Sequence, residues 1–175
     1  MSGTDRIAEV AQKLGWSDDE IVVNVQGDEP LIDSNLIEEV ALLLAAKPQA
    51  VMATACHAIH DEANFLNPNV VKVVTDAEGF ALYFSRAPIP YPRDDVFKNN
   101  LQAFRHIGIY AYRVGFLKQY AKLTVTALEK IESLEQLRVL HHGYKIGVCV
   151  TENAPATGVD TQADLDTVRE IFDKN

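Results

Sequence analysis

Two carboxylates follow directly after a short valine-rich segment at residues 22–30, which read VVNVQGDEP. The β-branched run predicts a buried strand of a parallel sheet, and Gly27 and Pro30 predict its end. Ligands of open α/β sheets bind beyond the carboxyl ends of strands, and Asp28 at such an end could hold a divalent cation. The alternative is a strand followed by a polar turn whose acidic side chains are simply solvated.

A second carboxylate for such a cation could come from Asp160, which follows the last predicted strand. Mg²⁺ commonly takes one or two protein carboxylates, with phosphate oxygens and water as the other ligands. Asp160 also lies beside the N-terminal cap of the last predicted helix. On local grounds, a capping or turn role is therefore the simpler interpretation.

Glu135 is an anomaly within a predicted helix that begins at the capping box of residues 126–129 and runs to about His141. Its spacing places a carboxylate within a stripe of apolar residues, namely Leu128, Ile131 and Val139. A buried ion needs a partner, so either Arg138 or another basic group pairs with it, or the stripe ends at a polar ligand. Gln136 could share either role.

Two further polar residues lie at predicted strands. Arg86 follows one strand and opens a proline-rich loop, where a guanidinium could bind a carboxylate or phosphate, although a surface salt bridge is the usual case. His106 lies on one face of a strand predicted over residues 104–113, and a single strand histidine is more often structural than catalytic. The sequence has no nucleophile–base signature, cysteine cluster or HExxH pattern, which argues against covalent or zinc chemistry.

The composition is that of a globular protein with one sizeable core. The 175 residues include 16 basic and 25 acidic side chains, and the formal net charge of −9 argues against nucleic acid or anionic membranes as main partners. Cys56 and Cys149 have no metal-ligand or redox spacing. No apolar run approaches the ~20 residues that span a bilayer, and no signal peptide is evident, so a cytoplasmic protein is expected.

The elements that must position these residues follow from apolar periodicity and turn signals. Helices are predicted over residues 5–14, 33–46, 126–141 and 161–172, and strands over 22–25, 51–59, 70–75, 80–84, 104–113 and 145–150. A strand–helix–strand unit followed by a hairpin indicates a mixed sheet. No strand or phosphate-binding loop precedes the first predicted helix.

Seven collinear segments together resemble one family, although each alone is a weak signal. They are residues 2–6 (SGTDR), 24–30 (NVQGDEP), 65–72 (FLNPNVVK), 83–87 (YFSRA), 105–110 (RHIGIY), 134–138 (LEQLR) and 157–161 (TGVDT). In this order they are similar to the 3-deoxy-manno-octulosonate cytidylyltransferases, or CMP-Kdo synthetases. The resemblance runs over essentially the whole chain.

The resemblance implies an α/β nucleotidyltransferase fold of Rossmann-like type, a three-layer sandwich with a mixed sheet in a single domain over residues 1–175. It implies an Mg²⁺-dependent cytoplasmic homodimer that couples CTP and Kdo to CMP-Kdo and pyrophosphate for lipopolysaccharide biosynthesis. The anomeric hydroxyl of Kdo would attack the α-phosphorus of CTP in line, without a protein nucleophile. No nucleic-acid or membrane partner is implied.

Site residues follow from the resemblance by position. Asp28 and Asp160 would be the catalytic metal carboxylates. The Kdo pocket would be lined by Gln26, Arg86, His106, Glu135 and Gln136. The nucleotide would lie near Ser2, Gly3 and Arg6.

The sequence departs from the family ahead of residue 2. Family members carry there a first strand and an Arg- and Lys-bearing loop that cradles the CTP phosphates. We therefore expect a domain truncated at the N-terminus, with weak CTP binding and impaired turnover. The alternatives are a noncatalytic sugar-acid-binding or dimerisation module, or a cytidylyltransferase for another sugar acid.

Overall fold

The computed structural model describes residues 3–27, 29–93, 102–152, 159 and 161–173 of the chain. The first four elements are a helix, a strand, a helix and a strand, as the sequence predicts. The elements in chain order are α1 Gly3–Leu14, β1 Ile21–Asn24, α2 Ser34–Ala46, β2 Ala50–Ala58, α3 Glu62–Leu66, β3 Lys72–Thr75, β4 Ala81–Ser85, β5 Phe104–Arg113, α4 Val114–Tyr120, α5 Ala127–Glu132, α6 Gln136–His141, β6 Lys145–Thr151 and α7 Gln162–Phe172.

One mixed sheet of six strands forms the centre of the molecule. Its order is β4-β3-β5-β2-β6, and β1 pairs with β5 beside this path. Within the described chain, β2 and β6 are the parallel pair, whereas β5 runs antiparallel to β1, β2 and β3. The valine run of β1 therefore reflects half-buried positions along an antiparallel strand, not the parallel pairing that the sequence suggested.

Helices cover both faces of the sheet, which gives the three layers expected from the sequence. On one face, α2 buries Leu36, Val40 and Leu44 against β2 and β5. On the other face, α1, α4 and α6 form a second apolar core with the sheet, which includes Ala11, Leu117, Tyr120, Leu137 and Val139. In α1 and α2 the buried residues form one stripe and the opposite side is exposed, as in amphipathic helices.

The helix predicted to run from residue 127 to about 141 is broken in its middle. It starts as expected, because Thr126 and Glu129 form the predicted capping box. However, Ser133 adopts a left-handed conformation with φ of 53°, so α5 ends at Glu132 and α6 starts at Gln136. The apolar stripe is consequently not continuous, and Ile131 is 79% exposed.

Two helices were not predicted. The short α3 is capped by Asp61, whose carboxylate accepts a hydrogen bond from the backbone N–H of Asn64 at 2.8 Å. The longer α4 follows β5 directly and buries Val114, Leu117 and Tyr120. Val114, Leu117 and Tyr120 are three residues apart, and this spacing is the sequence signal that indicates a helix at this position. No helix in the described part of the chain combines the length and apolarity that a bilayer crossing requires.

Candidate active site

On one edge of β5, the middle residues have no paired strand in the described chain. Residues 110–113 of this strand pair with β1, and residues 104–105 pair with β3. Because β1 ends at Asn24 and β3 begins at Lys72, the edge between these two partners is free for a ligand. A cavity of about 560 Å³ lies at this fork, and we call it the fork cavity. Its wall includes Gly3, Thr4, Arg6, Gln26, Gly27, Met52, His106, Gly108, Tyr110, Tyr112, Tyr120, Ser133, Glu135 and Gln136.

The floor of the fork cavity is one face of β5. His106, Gly108, Tyr110 and Tyr112 alternate along the strand, and all four line the cavity, as a period of two requires. Gly108 carries no side chain and lies in the floor between these polar residues. A methyl group there would lie 3.7 Å from Nε2 of Gln26. The family resemblance predicts both Gln26 and His106 as pocket residues, and both lie in the wall of this cavity.

The polar side chains that β5 places on the floor of the fork cavity are uncharged at neutral pH. The ring of His106 packs edge-on against Phe84 at 5.0 Å and lies 5.3 Å from the ring of Tyr110. Burial lowers the pKa of His106 to about 3 and raises the pKa of Tyr110 well above its usual range. A neutral imidazole and a phenol can each donate and accept hydrogen bonds, which suits a ligand rich in hydroxyl groups.

Glu135 enters the fork cavity from the break between α5 and α6. Its Oε2 accepts a hydrogen bond of 3.0 Å from the hydroxyl of Thr4, which also lies 3.2 Å from the hydroxyl of Tyr112. Thr4 is buried at the start of α1, whose N-terminal dipole favours a nearby carboxylate. The rest of the Glu135 carboxylate is exposed and can accept hydrogen bonds from a ligand.

Arg138 does not pair with Glu135. Its guanidinium donates instead to the carboxylate of Glu129, with Nε 2.8 Å from Oε2, and both side chains are buried. Of the two interpretations that the sequence left open for Glu135, the structure favours the one in which the apolar stripe ends at a polar cavity. Arg138 also stacks over the ring of Tyr120 at 4.6 Å, so the buried pair supports the cavity wall.

Two buried polar atoms in the wall of the fork cavity have no hydrogen-bond partner in the described chain. They are Nε2 of Gln136, whose residue is 4% exposed, and the hydroxyl of Tyr120, which is 1% exposed. Unpaired buried groups of this kind are destabilising unless a ligand or water satisfies them. Gln136 is among the predicted site residues, whereas Tyr120 is not, because it lies on α4, which is absent from the predicted helices.

Arg86 is not part of the fork cavity wall. Its Nε donates to the carbonyl of Glu132 at 2.7 Å and its Nη1 to the carbonyl of Pro68 at 3.0 Å. Its backbone N–H also donates to the carboxylate of Glu132 at 2.8 Å. Beside it, the buried ammonium of Lys72 donates to three backbone carbonyls, including that of Arg86 at 2.6 Å. These bonds fix the end of β4 to the end of α5, one residue before the break at Ser133.

The remaining predicted site residues divide into two groups. Gly3 and Arg6 lie in the fork cavity wall, at the N-terminal end of α1. Ser2 lies outside the residues that the structure describes. The two expected metal carboxylates, Asp28 and Asp160, also lie outside them. Within the described ranges, no group of three or more His, Cys, Asp or Glu side chains could hold a metal ion.

A second cavity, of about 640 Å³, lies at the carboxyl end of β2 and is called the β2 cavity. It is lined by His57, Ala58, Ile59, His60, Asp61, Asn64, Arg105, Val150, Thr151 and Glu152. The ring Nδ1 of His57 hydrogen-bonds only the carbonyl of the next residue, Ala58, at 3.0 Å. None of the predicted site residues lines this cavity.

The fold and the fork cavity together define a nucleotidyltransferase. The chain belongs to the cytidylyltransferase family, whose sequence profile matches residues 1–146. A solved structure of CMP:2-keto-3-deoxy-manno-octonic acid synthetase complexed with CTP is similar to this chain at 42% sequence identity, with a TM-score of 0.89. The similarity covers 99% of this chain and 68% of that one. The resemblance drawn from the seven sequence segments is confirmed.

Proposed function

We propose that the chain activates Kdo, an eight-carbon sugar acid, with CTP to give CMP-Kdo and pyrophosphate. The observation that carries this proposal is the convergence of Gln26, His106, Glu135 and Gln136 on the fork cavity. A carboxylate, an imidazole and two amides can together bind several hydroxyl groups of one sugar. The match to the CMP:2-keto-3-deoxy-manno-octonic acid synthetase supports the same substrate.

The nucleotide is proposed to approach from the start of α1. Gly3 and Arg6 lie in the wall there, and the N-terminus of a helix together with a guanidinium favours phosphate groups. Ser2 and Arg86 remain proposed contacts from the family resemblance. For Arg86, contact with substrate would require its guanidinium to leave the carbonyls of Glu132 and Pro68.

In the proposed reaction, the anomeric oxygen of Kdo forms a bond to the α-phosphorus of CTP. The bond from that phosphorus to the oxygen bridging the α- and β-phosphates breaks, pyrophosphate leaves, and the hydroxyl proton is released. The fork cavity contributes by holding the sugar in one orientation, because positioning alone can supply much of a rate enhancement. Glu135 and Gln136 would fix the hydroxyls from one side and His106 from the floor.

Mg²⁺ is the proposed cofactor, with Asp28 and Asp160 as its protein ligands. Carboxylate oxygens are the donors that Mg²⁺ prefers, and Gly27, which precedes Asp28 in the chain, lies in the fork cavity wall. When bound, the ion would neutralise charge on the triphosphate. This part of the proposal rests on donor chemistry and on the family resemblance.

The test is Mg²⁺-dependent release of pyrophosphate from CTP in the presence of Kdo, measured beside Kdo binding by calorimetry. We expect Glu135→Gln to weaken Kdo binding about tenfold, as loss of a charged hydrogen bond does. Glu38→Gln is the matched control, because Glu38 lies exposed on α2 and the charge change is identical.

The outcomes separate the candidate functions. Kdo binding without pyrophosphate release would favour a noncatalytic sugar-acid-binding module. Absence of Kdo binding, with binding of another sugar acid from a panel, would indicate a different acceptor. Equal Kdo binding by Glu135→Gln and Glu38→Gln would contradict the proposed role of the fork cavity.

A cytoplasmic homodimer is part of the proposal. Cys56 and Cys149 are both free thiols, which suits a reducing compartment. Large apolar side chains are exposed at Leu66, Leu82 and Tyr91, and such side chains are common in protein interfaces. Light scattering should give a mass about twice the 19.4 kDa of one chain, and a monomer at micromolar concentration would contradict the dimer.

A further inference from the structure

The pairing of β2 with β5 is irregular beneath the fork cavity. Thr54 lies opposite Tyr110, but the next residue, Ala55, lies opposite Ile107. Two residues of β5, Gly108 and Ile109, therefore have no counterpart on β2. A bulge of this kind interrupts the ladder and leaves backbone carbonyls in need of other donors.

The hydroxyl of Thr54 supplies that donor. Thr54 is fully buried, and its Oγ1 lies 2.7 Å from the carbonyl oxygen of Ile109 and 3.2 Å from that of Ile107. A hydroxyl has a single hydrogen, and carbonyl oxygens can only accept. The hydroxyl proton of Thr54 therefore points to the backbone carbonyls of the bulge. The lone pairs of Oγ1 remain able to accept a hydrogen bond from another group.

The same oxygen lies 2.9 Å from Nε2 of His106. Since the Thr54 proton points to the Ile109 carbonyl, Nε2 must be the donor in this contact and must carry the imidazole proton. Burial keeps the pKa of His106 at about 3, so the ring holds only that one proton at neutral pH. Nδ1 is then an unprotonated acceptor on a ring that lines the fork cavity.

We propose that Thr54 is a positioning residue that fixes His106 in the Nε2–H tautomer, so that Nδ1 accepts a hydrogen bond from a hydroxyl group of the sugar acid. The identity of that ligand rests on the function proposed above, whereas the tautomer does not. Thr54 acts through His106 and does not line the cavity itself. The bulge, which includes Gly108 of the cavity wall, thus links the irregular backbone to the chemistry of the cavity floor.

The direct test is ¹⁵N long-range NMR of the unliganded chain, with the His106 resonances assigned by their loss in His106→Asn. We expect a protonated Nε2 and an unprotonated Nδ1 in the wild type. Thr54→Ser keeps the hydroxyl and should keep this pattern. Thr54→Val is nearly isosteric but has no hydroxyl, so we expect it to lose the fixed tautomer.

The functional arm measures KM separately for Kdo and for CTP. We expect Thr54→Val to raise KM for Kdo about tenfold and to leave KM for CTP within about twofold, and Thr54→Ser to restore most of the difference. A purely structural role would affect both substrates alike and would not produce this split.

Each result decides a different part of the inference. An Nδ1–H tautomer in the wild type would overturn the assignment to Thr54, even if Thr54→Val failed to fold. Equal values of KM for Kdo in the valine and serine variants would overturn it too. An Nε2–H tautomer in a chain that binds no Kdo would overturn the proposed function and with it the hydroxyl contact at Nδ1.

Discussion

The fork cavity and the β2 cavity are similar in size, at about 560 and 640 Å³, but they differ in what holds their polar groups. In the fork cavity, the hydroxyl of Thr4 binds Glu135, and the hydroxyl of Thr54 lies against His106. Each of these contacts joins residues more than 50 positions apart in the chain. Glu135 and His106 are therefore held in place by the tertiary fold.

The β2 cavity has two histidines, His57 and His60, and contacts to sequence neighbours hold His57 and Asp61. His57 bonds the carbonyl of Ala58, and Asp61 caps its own helix through Asn64. Burial lowers the pKa of His57, and the bond to Ala58 partly opposes this. The comparison indicates that volume alone does not define a site. A site is defined by polar side chains that are held by hydrogen bonds from distant elements. Only such side chains are oriented independently of the loop that carries them.

The largest expected effect comes from removing the ion pair behind the fork cavity. Glu129→Ala leaves Arg138 buried without a counter-charge, which should lower the free energy of unfolding by about 3–5 kcal/mol. Asp61→Ala, in the β2 cavity, removes only an exposed helix cap and should cause a clearly smaller loss. Urea denaturation of both variants checks this, and equal losses would remove the proposed difference between the cavities.

The next prediction concerns pH. The pKa of His106 is about 3 in the folded chain and near 6.5 when unfolded, so unfolding takes up a proton between these values. Its contribution to stability is complete above about pH 6.5 and is lost as the pH falls toward about 3. In urea denaturation, His106→Asn should flatten the acid side of the stability profile more than His57→Asn does. The reverse order would contradict the deeper burial assigned to His106.

Substitutions of His106 and His57 should also affect enzymatic activity to different extents, since the two residues lie in different cavities. We expect His106→Asn to lower kcat/KM for Kdo about tenfold or more, because Asn lacks the imidazole ring that Thr54 contacts and its amide is not held in the same position. His57→Asn should leave it within about twofold, since His57 lies outside the proposed site. Steady-state kinetics on both variants measures this, and a strong effect at His57 would make the β2 cavity the better candidate.

The smallest effect is expected for a single hydroxyl. Tyr120→Phe removes a buried group that has no partner in the described chain, so stability should stay unchanged or rise slightly. Kdo binding should weaken about threefold if the ligand satisfies that hydroxyl. Tyr144→Phe is the matched control, because its exposed hydroxyl binds Gln119 and does not line the fork cavity. Equal Kdo affinity in both variants would exclude a contact to Tyr120.

Local sequence patterns predicted most elements of the fold to within two residues at their ends. The strand predicted over residues 104–113 matches β5, along which the side chains from His106 to Tyr112 alternate onto the floor of the fork cavity. The capping box at Thr126 correctly located the start of α5. These features depend on neighbours within a few positions, so periodicity and capping chemistry are sufficient to predict them.

The break at Ser133 could not be predicted in this way. Leu128, Ile131 and Val139 have helical spacing, and no glycine or proline interrupts them. The helix ends because tertiary bonds hold its parts separately: Glu132 binds Ser85 and Arg86 of the β4 end, while Glu135 binds Thr4. Local propensity is weak compared with several such bonds, so the tertiary contacts prevail.

By itself, the sequence determined most of the helices and strands, the family and part of the fork cavity wall. The tertiary structure alone decided that Arg86 binds backbone carbonyls outside that cavity, that Tyr120 enters its wall, and that Thr54 lies against His106. The physical reason is the separation along the chain of the residues that interact. Element type follows from interactions between near neighbours, whereas a hydrogen bond between distant side chains exists only once the whole sheet has assembled.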